Sequence, residues 1–499
     1  MEKETKEKLK IFTVVFFITL IFCLPFLFPH KITDTYWNIG EGISVYKFTP
    51  LRDGRIVHFL ILTILDMLNI SMETYSIGVH YVCVILYAFA IYNVYTYIIK
   101  ILDSRIQQSK HLNIVKAIIL MGSTLIILNP LVVENFAYID NITMSLGLLL
   151  GNIAAKTLHQ NQKWAYAKTL ILILIAGLCY QGNLNMWIAL SLLYFAIDKK
   201  KPIKEWVKYF AKIASIIIIV LCSLLLVLNF CNNITGNEQK RLGNSNFSFE
   251  KLSFLFTMFC IWPITNMTFG YCPQMLIAIV IIITTIMIGL QKSTTTLRMI
   301  FKYIFIVFLT ILACIVPTFL QKNITLSART LNGIGAIIGI SIIFLLYVNI
   351  NSEKLRKPFM YVLLILSIVL TCINLFDYYN IAYMNQITCK KDKEYVDKIN
   401  AVMLEYEQKN GIILKKVMFF KDKHCEEVYN NFVYNTFNTK GIVTNYARLH
   451  WLNYYTGRSL EELPTSNEKY DKYFKEKDWD SFNKEQVQFE GDTVYICAY

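Results

Sequence analysis

Residues 11–55 read IFTVVFFITLIFCLPFLFPHKITDTYWNIGEGISVYKFTPLRDGR, an apolar run followed directly by a polar break. A spanning helix needs about 20 mostly apolar residues, and 11–27 approaches that length. The break, 33–55, gathers Asp34, Glu41 and Asp53 with Arg52 and Arg55. A polar cluster in this position either faces water or does chemistry at the bilayer surface.

Working outward, apolar runs recur at 75–99, 114–129, 142–155, 170–180, 184–197, 209–230, 275–290, 300–320, 331–350 and 359–376, which predicts about eleven spans. The chain is 55% hydrophobic with a mean hydropathy of +0.44, too apolar for a soluble globule. Two segments fit less well. Residues 56–70 are short and carry Asp66, and 252–269 are broken by Trp262-Pro263. With the amino terminus cytoplasmic and both awkward segments failing to cross, the inner loops hold 23 lysines and arginines and the outer loops nine. That asymmetry is the positive-inside pattern, so 56–70 is read as an interfacial helix and 252–269 as a re-entrant or interfacial one. The net charge of +14 then sets orientation and does not point to nucleic acid. MEKETKEKLK precedes the first run without an A-x-A-like cleavage site, as in a retained first helix. The expected location is the plasma or inner membrane, multi-pass, with the break at 33–55 outside the cytoplasm.

These features divide the chain into a membrane domain, 1–377, and a tail, 378–499, on the extracytoplasmic side. The tail holds 17 basic and 18 acidic side chains and no membrane-length run. KDKEYVDKINAVMLEYEQ places Tyr395, Ile399, Val402 and Tyr406 at helical spacing, while GIILKKVMFF and DTVYICAY read as strands. The predicted fold is an all-α polytopic membrane protein with a small carboxy-terminal α/β domain. Twelve cysteines show no zinc-ligand spacing, and one disulfide among Cys389, Cys425 and Cys497 is open.

On this topology Asp34 lies just outside the first span. A carboxylate there can take the proton of a sugar hydroxyl attacking an anomeric carbon; it equally fits a helix cap. Asp53 can cap the following helix while Arg55 holds a lipid phosphate, or the two pair and order the loop. The second outer loop, NPLVVENFAYIDN, offers Glu134 and Asp140 as further carboxylates, or is a simple turn. In the third, Tyr180, Gln181 and Asn183 can bind sugar hydroxyls, although a Gly-Asn hairpin needs no ligand. Outside basic residues are scarce, which singles out Arg241 and Arg329 as phosphate ligands; snorkelling to headgroups is the alternative. Trp451 and Tyr454 in the tail can stack on sugar rings or pack in a core. No HExxH, P-loop, G-x-S-x-G or dinucleotide fingerprint occurs.

The order of an acidic first outer loop with a Gly-Arg pair, then NPLVVENFAY, CYQGNLN and SARTLNGIGAIIG, resembles the glucosyltransferase-II family, membrane transferases that modify O-antigens and related surface glycans and look like a branch of the GT-C superfamily. The resemblance covers about residues 1–380. It implies transfer of a sugar from a polyprenyl-phosphate carrier to a surface glycan, with Asp34 as base, Glu134 in the second acidic loop, and Arg55 and Arg329 toward the carrier phosphate. Where two adjacent acidic residues are expected, Asp34 stands between Thr33 and Thr35. This leaves Glu41 as the other candidate base and weakens the case for a divalent metal; no cofactor is expected. A flippase for a lipid-linked saccharide is the alternative, against which stand the lack of an internal repeat and the low charge within the spans.

Overall fold

The apolar runs fold as helices because a segment with few polar neighbours satisfies its backbone N–H and C=O groups most simply within itself. The computed structural model describes residues 2–28, 30–107, 111–198, 202–236, 273–291, 296–315, 328–350, 357–429 and 437–499. The amino-terminal half comprises α1 (Glu2–Cys23), α2 (Thr33–Tyr46), α3 (Phe48–Arg52), α4 (Ile56–Met67), α5 (Met72–Ile106), α6 (Leu112–Ile127) and α7 (Asn141–Gln160). There follow α8 (Ala165–Cys179), α9 (Leu184–Ile197), α10 (Ile203–Thr235), α11 (Pro273–Gly289), α12 (Thr296–Ile315), α13 (Asn332–Gly335) and α14 (Ile337–Ile350).

Among the described residues six helices are long and apolar enough to cross a membrane: Thr5–Phe26, Met72–Asp103, Lys204–Thr235, Thr296–Cys314, Asn332–Ile350 and Lys357–Asn410. Length and composition therefore carry six of the eleven expected crossings. The other five runs are helices as well, α6, α7, α8, α9 and α11, of 14 to 20 residues. The segment 56–70 folds as α4, and 252–269 lies outside the described residues. Membrane character shows in the packing too. Phe17, Ile218, Leu226, Phe301 and Ile365 point outward on long helices, an apolar exterior that water would penalise and lipid would not. Every residue of α14 is buried, so this helix, apolar all round, is the central pillar.

The last span does not stop at the expected domain boundary. Helix α15 (Lys357–Asn410) runs 54 residues, about 80 Å at 1.5 Å per residue. No proline or glycine falls between Phe359 and Asn410, and the chain breaks only at Gly411, whose φ of 66° is the left-handed end that glycine adopts without penalty. The carboxy-terminal half of α15 buries Tyr395, Ile399 and Val402 of the predicted stripe together with Val396 and Met403, while Tyr406, the stripe's fourth member, is half-buried against the same core.

That stripe covers a four-stranded sheet of β1 (Lys416–Lys421), β2 (Glu461–Glu462), β3 (Val487–Glu490) and β4 (Thr493–Ala498), ordered β2-β1-β4-β3. Strands β1 and β4 pair in parallel, with Val417 opposite Val494 and Phe419 opposite Ile496; β3 returns antiparallel to β4. Alternation sends Val417, Phe419, Val494 and Ile496 toward α15 and α16 (Arg448–Thr456). Met418, Phe420, Tyr495 and Cys497 pack on the other face with Phe474, which follows α17 (Asn467–Tyr473). A centre pair buried on both faces explains why these strands are almost wholly apolar. Cys389, Cys425 and Cys497 are free thiols, so the tail holds without a disulfide among them. Trp451 is fully buried in this core.

Tail and membrane half share a seam. Tyr36 of α2 packs into the tail core, and its hydroxyl lies 2.6 Å from that of Tyr455.

Candidate functional site

Four connections meet at the α2 end of the bundle: the turn before α4, the 3-10 segment Val132–Ala137, the turn Gln181–Asn183 and the turn Ala328–Thr330. The first is set by Gly54, whose φ of +72° lets the chain reverse where a Cβ would come within 3.3 Å of Leu228 of α10. This aims Arg55 inward from the cap of α4, where it forms an ion pair with Asp140 and lies 3.5 Å from Asp53. The Asp140 carboxylate also accepts from the Tyr46 hydroxyl at 3.1 Å and faces His58 Nδ1 at 3.2 Å. Gln181 donates to the Asp53 carbonyl at 3.2 Å, tying the third turn to the first. Arg55 stands 5.0 Å over the Tyr180 ring.

Arg329 enters from the opposite side. Its backbone N–H donates to Glu134 at 2.7 Å, its guanidinium is 4.0 Å from the same carboxylate, and it stacks 3.9 Å over the Tyr138 ring. Asn185 donates to the Thr330 carbonyl at 2.6 Å and fixes this turn. Both arginines thus act on Tyr180, Arg55 over its ring and Arg329 through its charge and a hydrogen bond to the hydroxyl.

The electrostatics keep both cations charged. Burial opposes the Arg55 charge, but Asp140, Asp53 and Tyr180 outweigh it and raise its pKa. Burial likewise opposes Arg329, and Tyr180, Tyr138 and Glu134 lift it well above the ordinary value. Burial alone would raise the Asp140 carboxyl; His58, Arg55 and the Tyr46 hydroxyl hold it below the usual range. Carboxylates do not exhaust the donors. Arg55 Nε and Arg329 Nη1 are buried atoms with no hydrogen-bond acceptor among the described residues, and a guanidinium has five N–H groups to offer.

Asp34 lies in the first turn of α2, where the helix amino terminus favours negative charge. Its carboxylate accepts a hydrogen bond from Tyr446 of the tail, and the same hydroxyl is 3.3 Å from Thr33 Oγ1. Burial and Asp140 raise the Tyr46 pKa, Arg55 opposes them and Asp34 adds to the rise, so Asp34 acts on the tyrosine that donates to Asp140. Glu41, two turns along α2, meets His450 of α16 at 3.5 Å instead. Both candidate bases therefore face the tail, Asp34 through Tyr446 and Glu41 through His450.

The residues singled out from the sequence separate into groups. Arg55, Arg329, Glu134, Asp140, Tyr180 and Gln181 come together, and Asp34 relates to them through Tyr46. Asn183 is buried and donates to the Met144 carbonyl at 2.8 Å, so it packs α7 against the α9 start. Arg241 lies outside the described residues. Tyr454 donates to Glu73 at 2.9 Å, with Lys31 over its ring, and so serves the seam between tail and bundle. Sequence reasoning passed over Tyr46, His58 and Tyr138. His58 had one signal, since it stands three residues after Arg55 and so on the same face of α4. No group of three or more metal-ligating side chains occurs among the described residues.

Below the cluster lies an apolar groove of about 530 Å³ lined by Ile173, Leu184, Trp187, Phe210, Ile217 and Phe305, among others. Leu184 follows directly on the Gln181–Asn183 turn, and α10, which supplies Phe210 and Ile217, reaches Gly54 through Leu228. No family model, curated protein or solved structure matches the chain, so this geometry is what a functional reading has to rest on.

Proposed function

We propose that this chain is a membrane glycosyltransferase of GT-C type that moves a sugar, glucose or another hexose, from a polyprenyl-phosphate carrier to an extracytoplasmic glycan. One observation carries the reading: Arg55 and Arg329 both act on Tyr180, each with a buried donor lacking an acceptor among the described residues, while the half-buried Asp34 acts on Tyr46, the donor to the Asp140 that pairs with Arg55. A phosphate is the ligand such forks match. In the reaction the acceptor oxygen bonds to the anomeric carbon from the face opposite the phosphate, and the carbon–oxygen bond to phosphate breaks. The electron pair leaves on the polyprenyl phosphate, and the acceptor proton passes to Asp34, giving inversion.

The arginines stabilise charge that grows on the departing phosphate, and being fixed by Asp140 and Glu134 they need little reorganisation as it develops. The apolar groove suits the carrier chain, with the carrier phosphate held at the arginines. Asp34 fits the role of base better than Glu41, whose carboxylate is turned to His450.

The test is surface-glycan composition in cells with and without the protein. A single sugar substituent should disappear on deletion and return with the wild-type chain but not with Asp34→Asn, which should still insert at normal level. General-base loss typically costs about 10²- to 10⁴-fold. A glycan unchanged by deletion would remove the transferase reading; full activity of Asp34→Asn would remove Asp34 from it.

A further inference from the structure

The tail contains a second cavity, of about 450 Å³, that the proposed transfer does not use. Three of its polar lining residues, Tyr395, Tyr429 and Lys440, are more than nine-tenths buried, at 4%, 7% and 4% exposure. The Tyr395 hydroxyl is buried with no hydrogen-bond partner among the described residues. Lys440 Nζ donates to the Tyr499 carbonyl at 2.8 Å and lies 5.1 and 5.0 Å from the ring centroids of Tyr429 and Tyr499. That hydrogen bond is the one its ammonium makes among the described residues, for three N–H donors. Cys425, Glu426, Asp422 and Asp392 offset the burial of this ammonium only in part, and its two remaining N–H donors would suit an anionic oxygen.

The wall continues the pattern. Lys391 lies 5.7 Å from the Tyr429 ring, Lys398 lies 5.9 Å from the Phe482 ring, and Trp479 presents an indole. Glu394, Glu426 and Asp480 line the same cavity. Aromatic faces suit the C–H face of a pyranose, carboxylates accept from its hydroxyls, and ammonium groups take a negative substituent. A purely apolar ligand would strand these charges, and an inorganic ion would leave the rings unused.

We infer that this cavity binds a saccharide bearing an anionic substituent, a carboxylate or a phosphate, and so holds a segment of the acceptor glycan away from the reacting hydroxyl. The binding rests on the cavity alone; the role as acceptor site rests on the proposed transfer.

The test uses the full-length protein in detergent and isothermal titration with four probes: trigalacturonate, glucose 6-phosphate, maltotriose and inorganic phosphate. At least one anionic sugar should bind ten-fold or more tightly than both maltotriose and phosphate. Which of the two does so identifies the substituent. Lys398→Glu, at a solvent-facing position, and Trp479→Ala should each weaken that binding at least ten-fold with an unchanged melting temperature, while Asp34→Asn binds as wild type. The Asp34→Asn arm keeps the cavity separate from the transfer mechanism. The inference is overturned if neither anionic sugar binds, if maltotriose or phosphate alone binds equally well, or if both cavity variants bind as wild type.

Discussion

Asp140 in the loop cluster and Glu490 on the tail both sit against cations, yet their surroundings are opposite. Asp140 meets Arg55 with its side chain 9% exposed; Glu490 meets Lys469 and Lys472 with its side chain 43% exposed. Asp392 completes the comparison from inside the tail, buried like Asp140 but held chiefly by neutral donors, the Tyr429 hydroxyl at 2.7 Å and the Gly441 N–H at 3.2 Å. The carboxyls respond accordingly. Cations and hydrogen bonds hold Asp140 below its ordinary range despite burial. Burial pushes Asp392 up to about 7, against the pull of Tyr429 and Gly441. Hydrogen bonds from Lys469, Lys472 and Tyr495 draw Glu490 down to about 2. A nearby cation thus does not by itself tell what a carboxylate is worth; burial sets the scale.

The sharpest way to break this comparison is Asp140→Ala. It leaves Arg55 partly buried beside Tyr180, with Asp53 as its remaining ion-pair partner among the described residues, and removing one partner of a buried pair typically costs about 3 to 5 kcal/mol. Thermal unfolding in detergent should show a large drop. The paired replacement Arg55→Met with Asp140→Leu should recover much of it, since no charge is then stranded. A melting temperature for Asp140→Ala close to wild type would mean that the cluster is wet and that burial has been given too much weight.

Asp392→Asn tests the second case and has the opposite sign. The apolar part of α15 ends at Phe376, so Asp392 stands four turns beyond it, in the tail core. Its folded pKa, about 7, lies above the unfolded value of about 3.9. Between those values the folded state holds a proton that the unfolded state has released, so stability falls as pH rises from about 4 to about 7 and is level above. The amide cannot ionise and still accepts from Tyr429 and Gly441. The variant should therefore lose that slope and melt higher than wild type at pH 8. An unchanged slope would mean that Asp392 is not the titrating group.

The same contrast explains what could be read from the sequence. Apolar runs became helices, and the spacing of Tyr395, Ile399 and Val402 gave the buried stripe of α15, because both depend on near neighbours in the chain. Strands β1 and β4 were legible for the same reason. The continuity of α15 was half legible: a change in polarity at 377 suggested a boundary, but polarity reports solvent, and only glycine or proline would have reported a break. The sequence singled out Arg55, Asp140, Arg329 and Glu134 on separate loops and offered Asp53 as the partner of Arg55, but pointed to neither the Arg55–Asp140 nor the Arg329–Glu134 pair. Those contacts depend on how α7, α8 and α9 pack, and nothing local encodes that packing. Tyr446 beside Asp34 was not legible at all, since it requires the tail to fold back onto α2.

The smallest effect belongs to Glu490→Gln. Its two lysine contacts, one of them 2.9 Å, look as good as the Arg55 pair on distance, and they lower its pKa. Yet all three side chains reach solvent, and in water the attraction is screened within a Debye length of about 8 Å at physiological salt. A pKa depressed in the folded state adds stability above the unfolded pKa that is lost as pH falls toward 2, but for so exposed a group that gain is largely offset by ordering three long side chains. The variant should melt with the wild type at about 150 mM salt and separate from it, slightly, only near about 10 mM. If instead Glu490→Gln destabilised the protein as much as Asp140→Ala, independent of salt, contact geometry and not burial would govern the carboxylates of this chain. The weight placed on the arginine cluster as a pre-set phosphate site would then have to be reduced in proportion.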